Sequence, residues 1–233
     1  MELNKIYNED CLETMKKMPD NFVDLVVTSP PYNKGKVGKS SNWKSGIDYE
    51  NYTDDLPEQE YQDWQKTILK ECLRVLKPTG SLFYNHKPRQ KDHKMTLPTE
   101  WLGGFHIRQI IVWERGGSPD IAPICFMKNT EWIIWIKKGI PKFNPQFFSL
   151  GEVWKFNPDM NNEHPAPFPK ELVERCILPT TDEGDLVYDP FMGSGTTAVV
   201  AKLNKRNYIG SEISEEYCKI AEERIKNTTN TLF

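Results

Sequence analysis

The chain has 233 residues, 38% of them hydrophobic, which is enough apolar side chain for one sizeable core and leads to the expectation of a single domain over 1–233. No run approaches the ~18 consecutive apolar residues of a membrane helix, and the N-terminal MELNKIYNEDC lacks the basic and apolar blocks of a secretion signal, so a soluble, cytoplasmic protein is expected. The net charge of −3 gives no global argument for a nucleic-acid partner, and five scattered cysteines (Cys11, Cys72, Cys125, Cys176, Cys218) without any C-x-x-C pair argue against both a disulfide framework and a metal site.

Strand-like runs occur at KIYN, VDLVV, SLFYN, IRQIIVW, EWIIWI, DLVYD and NYIGSE, and VWKF also reads as extended. Between the second and third, EQEYQDWQKTILKECLRVL sets Trp64, Ile68, Leu69, Leu73 and Leu76 at helical spacing and stops at KPTG, where Pro78 and Gly80 mark the exit. KELVERCI, TTAVVAKL and EEYCKIAEERI read as further helices. Runs that are apolar throughout suit strands covered on both faces, so the expected fold is α/β, a mostly parallel sheet flanked by helices. IRQIIVW and EWIIWI are expected to add antiparallel edge strands, with Trp113 and Trp135 in the core. The stretch within about 115–168 is rich in proline, aromatics and asparagine, and reads as an irregular elaboration on that core rather than a second domain.

Charge is unevenly distributed. Lys34, Lys36, Lys39 and Lys44 fall in NKGKVGKSSNWKSG, and Lys87 and Arg89 belong to a second basic patch, HKPRQKDHK. Such loops are either solvated surface or tracks for a phosphate backbone.

DLVYDPFMGSGTTAVVAKL is the clearest local signal. A strand ends at Asp189, a glycine turn follows, and a helix begins near Thr196. Gly193, Gly195 and Ala198 fit G-x-G-x-x-G/A, and Glu212 ends the next strand where an acid can bind ribose hydroxyls. No G-K-[ST] follows, so this is not a Walker loop. Asp189 would repel a pyrophosphate, whereas a carboxylate attracts the sulfonium and ammonium of S-adenosylmethionine. Only about forty residues follow the loop, so most strands precede it and the order is circularly permuted.

With TSPPYN after VDLVV, the whole chain resembles the beta class of S-adenosylmethionine-dependent DNA methyltransferases that modify exocyclic amino groups. In that family the catalytic motif is S-P-P-[YF] or [DN]-P-P-[YFW], here Ser29, Pro30, Pro31 and Tyr32, and it precedes a D-P-F-x-G-S-G-T-T loop, here Asp189 to Thr197 with Phe191, Gly193, Ser194, Gly195, Thr196 and Thr197. The resemblance implies a Rossmann-like methyltransferase fold. It also implies that Asp10 and Cys11 lie against the adenine, that the element from His164, with Pro165 and Phe168, lines the methionine side, and that Glu212 holds the ribose. Serine at the first motif position implies the 4-amino group of cytosine as target. Adenine amino methylation, and a non-catalytic nucleic-acid-binding module that keeps a cofactor site, are the alternatives.

An exocyclic amine is a weak nucleophile because its lone pair is delocalised into the base. Ser29 Oγ and the Pro30 carbonyl can accept its two hydrogens, and the two proline rings hold those acceptors in place. No Pro-Cys pair is present to supply a thiolate for methylation at a ring carbon; Cys125 follows Ile124. The target nucleotide must swing out of the duplex, with Tyr32 as stacking platform. Expected partners are double-stranded DNA, a second copy of the chain, and a cognate restriction endonuclease. Arg89, Gln109 and Arg115 are candidates for reading bases in the major groove.

Overall fold

The computed structural model describes residues 1–33, 54–91, 94–116, 126–157 and 169–228. In chain order the elements are β1 (Lys5–Tyr7), α1 (Cys11–Lys16), β2 (Val23–Thr28), α2 (Glu58–Val75), β3 (Leu76–His86), β4 (Arg89–Lys91), β5 (Lys94–Thr96), β6 (His106–Glu114), β7 (Thr130–Lys137), β8 (Val153–Lys155), α3 (Lys170–Thr180), β9 (Leu186–Asp189), α4 (Thr196–Leu203), β10 (Asn207–Ser211) and α5 (Glu215–Asn227). Among the described residues eight strands form one sheet in the order β1-β10-β9-β2-β3-β7-β6-β8, and β4 and β5 make a separate hairpin. From β1 to β3 every pairing is parallel. β7 runs antiparallel to β3 and to β6, and β8 pairs parallel to β6.

Alternation along the strands sends side chains into two layers. Leu25, Val27, Phe83, Ile133, Trp135 and Val187 pack against α3, α4 and α5, where Val173, Ile177, Ala198 and Ala221 are buried. Val26, Leu82, Tyr84, Ile134, Ile136, Tyr188 and Ile209 face α1 and α2, with Met15, Ile68, Leu69, Cys72 and Val75. Both faces of the central strands are thus covered, as their near-continuous apolar sequences require. Trp113 and Trp135 lie in the core.

Three features depart from the periodicity reading. β6 and β7 are antiparallel but not edges, because β8 closes the sheet beyond β6 and buries Trp154. The buried stripe of α2 runs through Tyr61, Gln65, Ile68, Leu69, Cys72 and Val75, whereas Trp64 and Leu73 are only partly covered. The cause is polar: Tyr61 and Gln65 turn inward to bond with Pro31, His86 and Tyr84. Finally, α1 is too short for a periodic pattern to show. It is started by Asp10, whose side chain accepts the Leu12 N–H at 2.8 Å.

Among the described residues no helix is long and apolar enough to cross a membrane.

Candidate active site

The parallel strands all end at one edge of the sheet, and the ends of β1, β10, β9, β2 and β3 carry Asp10, Glu212, Asp189, Ser29 and Asn85 in or just beyond them. β9 and β2 are hydrogen-bonded neighbours, with Leu25 opposite Val187 and Val26 opposite Tyr188. The chain leaves β9 for α4 on one face, while α2, which leads into β3, lies on the other. The β9/β2 boundary is therefore the switch point where an open α/β sheet forms a ligand crevice.

The turn after β9 is braced from both ends by buried carboxylates. Asp189, 2% exposed, accepts the Phe191 N–H at 3.0 Å and the Thr197 hydroxyl at 2.7 Å. Glu212 accepts the Gly193 N–H at 2.8 Å and the Ser214 N–H at 2.9 Å. Burial pushes the Asp189 carboxyl up to about 6, with the Thr197 and Phe191 bonds opposing and the charge of Glu212 adding to the rise. Burial raises Glu212 as well, against the backbone N–H groups of Ser214 and Gly193. Neither carboxylate has an ion-pair partner among the described residues. Two mutually repelling buried acids beside a glycine turn suit a ligand that brings positive charge, as S-adenosylmethionine does, and not a pyrophosphate.

Gly193 and Gly195 have φ of +51° and +84°. At Gly195 a Cβ would also come within 2.7 Å of Ala221 Cβ on α5, so this glycine serves helix packing as well as the turn. Gly195→Ala is expected to cost roughly 1–3 kcal/mol and to lower the melting temperature by about 2–4 °C for each kcal/mol lost. A thermal melt indistinguishable from the wild type would mean that α5 gives way.

Ser194 is turned toward α5, where the Arg224 guanidinium binds its carbonyl and, at 2.7 Å, its hydroxyl, with the Thr196 hydroxyl 3.4 Å away. Phe191 is half-buried, edge-on to Trp64 with ring centroids 5.7 Å apart. Asp10 is exposed, whereas Cys11 sits in the core beside Met15 and Cys72, and burial pushes its thiol well up. His164, Pro165 and Phe168 lie outside the described residues, as do Lys34, Lys36, Lys39, Lys44 and Cys125.

At the end of β2 the Ser-Pro-Pro-Tyr corner is tied down at several points. The Pro31 carbonyl accepts the Tyr61 hydroxyl at 2.8 Å, and that hydroxyl also lies 2.7 Å from His86 Nε2. The His86 ring is fully enclosed, and burial lowers it to about 3, so it is neutral at pH 7. Asn33, at φ +54°, is clamped by its side chain to both backbone groups of Leu56. Ser29 Oγ is 2.9 Å from Tyr32 Oη, and Tyr32 Oη is 3.2 Å from the Glu131 carboxylate. Asn85 Nδ2 donates to Glu131 at 2.8 Å and to Tyr32 Oη. Tyr32 is half-buried, its ring 4.8 Å from that of His86 and with Lys87 Nζ 6.0 Å from its centroid.

The structure therefore brings the predicted tetrapeptide and the predicted glycine turn to adjoining strand ends. The two arginines are engaged within the fold behind that corner. Arg89 is doubly bonded to Glu58 and stacked over Tyr61 and Trp101, and Arg115 is paired with Glu131. Both side chains are occupied within the fold, and Gln109 donates to Glu152 at 3.0 Å. Asn85, Glu131, Tyr61, His86 and Arg224 were not singled out by the sequence. The available signal was a polar residue at the end of an apolar run, Asn85 in SLFYN and Glu131 in EWIIWI.

A family model for DNA methylases of the N6/N4 type matches residues 23–223. The chain belongs to this family. The methylase is 36% identical to the type II methyltransferase M.BglII of Bacillus subtilis, over 94% of this chain and 68% of the relative. It is 30% identical to M.BamHI of Bacillus amyloliquefaciens, over 97% of this chain and 58% of the relative. It thus spans between 58% and 68% of the length of these two proteins. Its fold is shared with the cytosine-N4-specific PvuII DNA methyltransferase (TM-score 0.77, 23% identity, covering 98% of this chain and 88% of the other). It is shared also with a Thermus thermophilus protein solved with S-adenosyl-L-methionine (TM-score 0.70, 24% identity, covering 98% and 95%). The methylase accordingly has the Rossmann-like methyltransferase fold in permuted order, with the Ser-Pro-Pro-Tyr corner after β2 and the glycine turn after β9.

Proposed function

We propose that this methylase transfers the methyl group of S-adenosylmethionine to the 4-amino group of cytosine in a nucleotide swung out of duplex DNA. The observation that carries the reading is the adjacency of the Ser29–Tyr32 corner to the turn built on Asp189 and Glu212, across neighbouring strands. Bound at that turn, S-adenosylmethionine supplies an electrophilic methyl group. Asp189 attracts its positive charge, Glu212 holds the ribose, Asp10 and Cys11 border the adenine, and the turn from Phe191 to Thr197 gives it a floor.

The protein's part in the chemistry is positioning. Ser29 Oγ and the Pro30 carbonyl accept the two amino hydrogens, which draws the nitrogen toward pyramidal geometry and frees its lone pair. Pro31, held through its carbonyl by Tyr61, keeps the corner stiff. The Tyr32 ring, backed by His86, offers a flat wall to the base, and Lys87 beside it is placed for a phosphate. In this reading the lysine-rich loop after Asn33 tracks the DNA backbone, and the parts of 115–168 outside β7 and β8 elaborate the single domain for sequence reading. Likeness to type II enzymes supports a cognate endonuclease.

Mass spectrometry of nucleosides after incubation with DNA and isotopically labelled S-adenosylmethionine tests the target. N4-methylcytosine is the expected product. Methylated adenine without methylated cytosine would transfer the same mechanism to the adenine amine, which the family model also spans. Cofactor binding without any transfer would leave a binding module.

A further inference from the structure

We propose that Glu131, on a strand outside both sequence motifs, is a positioning residue that sets the direction of the hydroxyl protons in the catalytic corner, so that Ser29 meets its substrate as a hydrogen-bond acceptor. The inference rests on the amino-methyltransferase reading above and names the chemical class that the corner admits: an amine donor, not a carbonyl.

Glu131 stands near the start of β7, which runs antiparallel to the motif-bearing strands and so begins at the edge where they end. Its side chain is 6% exposed. One oxygen is paired with Arg115, and the other takes the Asn85 amide at 2.8 Å and faces Tyr32 Oη at 3.2 Å. An ionised carboxylate can only accept, so the single Tyr32 phenolic proton is directed to Glu131. Burial and the neighbouring Glu131 charge hold that phenol well above its ordinary range, so the proton stays in place. Tyr32 Oη can then only accept from its remaining neighbours. Asn85 Nδ2 supplies one hydrogen, and across the 2.9 Å contact Ser29 must supply the other.

The consequence falls on Ser29. Its proton points inward at Tyr32, and Asn85 Nδ2 makes only a long 3.4 Å contact with the oxygen, so a Ser29 lone pair remains for a ligand in the crevice. A base bearing an amine finds an acceptor there. A base bearing a carbonyl at the same position, as thymine and uracil do, meets lone pair against lone pair, and a site built for one partner rejects the other strongly. Without the carboxylate, the Tyr32 proton is free to turn to Ser29, and the Ser29 proton then turns outward against the amine.

Glu131→Gln keeps the shape but presents an amide that can donate to Tyr32 Oη. The expected result is a fall of about tenfold or more in single-turnover methyl transfer, as for loss of a preorganised electrostatic contact, with dissociation constants for S-adenosylmethionine and for duplex DNA unchanged. Tyr32→Phe cuts the relay while leaving the Glu131–Arg115 pair, and is expected to lose rate to a similar extent. In the Tyr32→Phe background, Glu131→Gln is expected to add nothing, because both changes break the same chain. A wild-type rate in Glu131→Gln, or losses that multiply in the double variant, overturns the inference. If Glu131→Gln does not fold, a wild-type rate in Tyr32→Phe overturns it alone. Absence of amino methylation by the wild-type protein is a separate outcome, which removes the underlying reading and the inference with it.

Discussion

Ser29→Ala is expected to slow methyl transfer by about 10²- to 10³-fold at saturating S-adenosylmethionine, the scale on which removing one preorganised hydrogen-bonding partner of a transition state acts. The substitution deletes the Oγ proposed to receive the amine while leaving Pro30, Pro31 and Tyr32 in place. The cofactor turn is built from β9, α4 and the end of β10, so the dissociation constant for S-adenosylmethionine is expected to hold. Rapid-quench measurement of a single turnover separates the two quantities. A variant that transfers at the wild-type rate would show that the Ser29 hydroxyl takes no part in activating the amine. Glycine in place of Ser29 would be a poorer probe, because it would also relax the backbone that the two prolines stiffen.

Asp189→Asn is expected to weaken S-adenosylmethionine binding by roughly ten- to a hundredfold, the range set by about 1.5–3 kcal/mol for a hydrogen bond to a charged group. The free protein supplies an independent check through pH. Its Asp189 carboxyl is raised from an ordinary 3.8 to about 6. A cationic ligand favours the ionised form, so wild-type affinity is expected to fall as pH drops through about 6, and the fall is expected to be much smaller in Asp189→Asn. Stability runs the other way. A folded-state acid with a raised value binds its proton more tightly than the unfolded chain does, so the ligand-free protein loses stability as pH rises from about 4 to about 6. At pH 7 the buried charge costs up to about 3 kcal/mol. Calorimetric titration with S-adenosylmethionine from about pH 5 to pH 8 tests the binding arm. An affinity that is flat with pH in the wild type would remove the electrostatic role given to Asp189.

Much of this architecture could be read along the chain. VDLVV, SLFYN, DLVYD and NYIGSE became β2, β3, β9 and β10, because strands covered on both faces must be apolar at consecutive positions. The helices beginning at Glu58, Lys170, Thr196 and Glu215 follow patterns of apolar spacing that local sequence carries. Helix α1 and the β4–β5 hairpin were missed. Elements of six and three residues complete no recognisable period, and α1 is defined by the cap at Asp10 and by packing on α2.

Local sequence by itself determined the two motifs of the site, the Ser-Pro-Pro-Tyr corner and the glycine turn with its acid one strand further on, because each is a contiguous backbone shape that requires particular residues. Only the tertiary structure decided what surrounds them. It turned Ser194 to Arg224, buried Cys11 in the core, committed Arg89 to Glu58 and Arg115 to Glu131, and set Asn85 and Glu131 behind Ser29 and Tyr32. Asn85 and Glu131 lie on strands whose neighbours are chosen by sheet order, and Tyr32 and Glu131, 99 positions apart, meet because β7 runs back to the edge where β2 ends. Hydrophobic periodicity states which face of a strand is buried, but not which strand lies beside it.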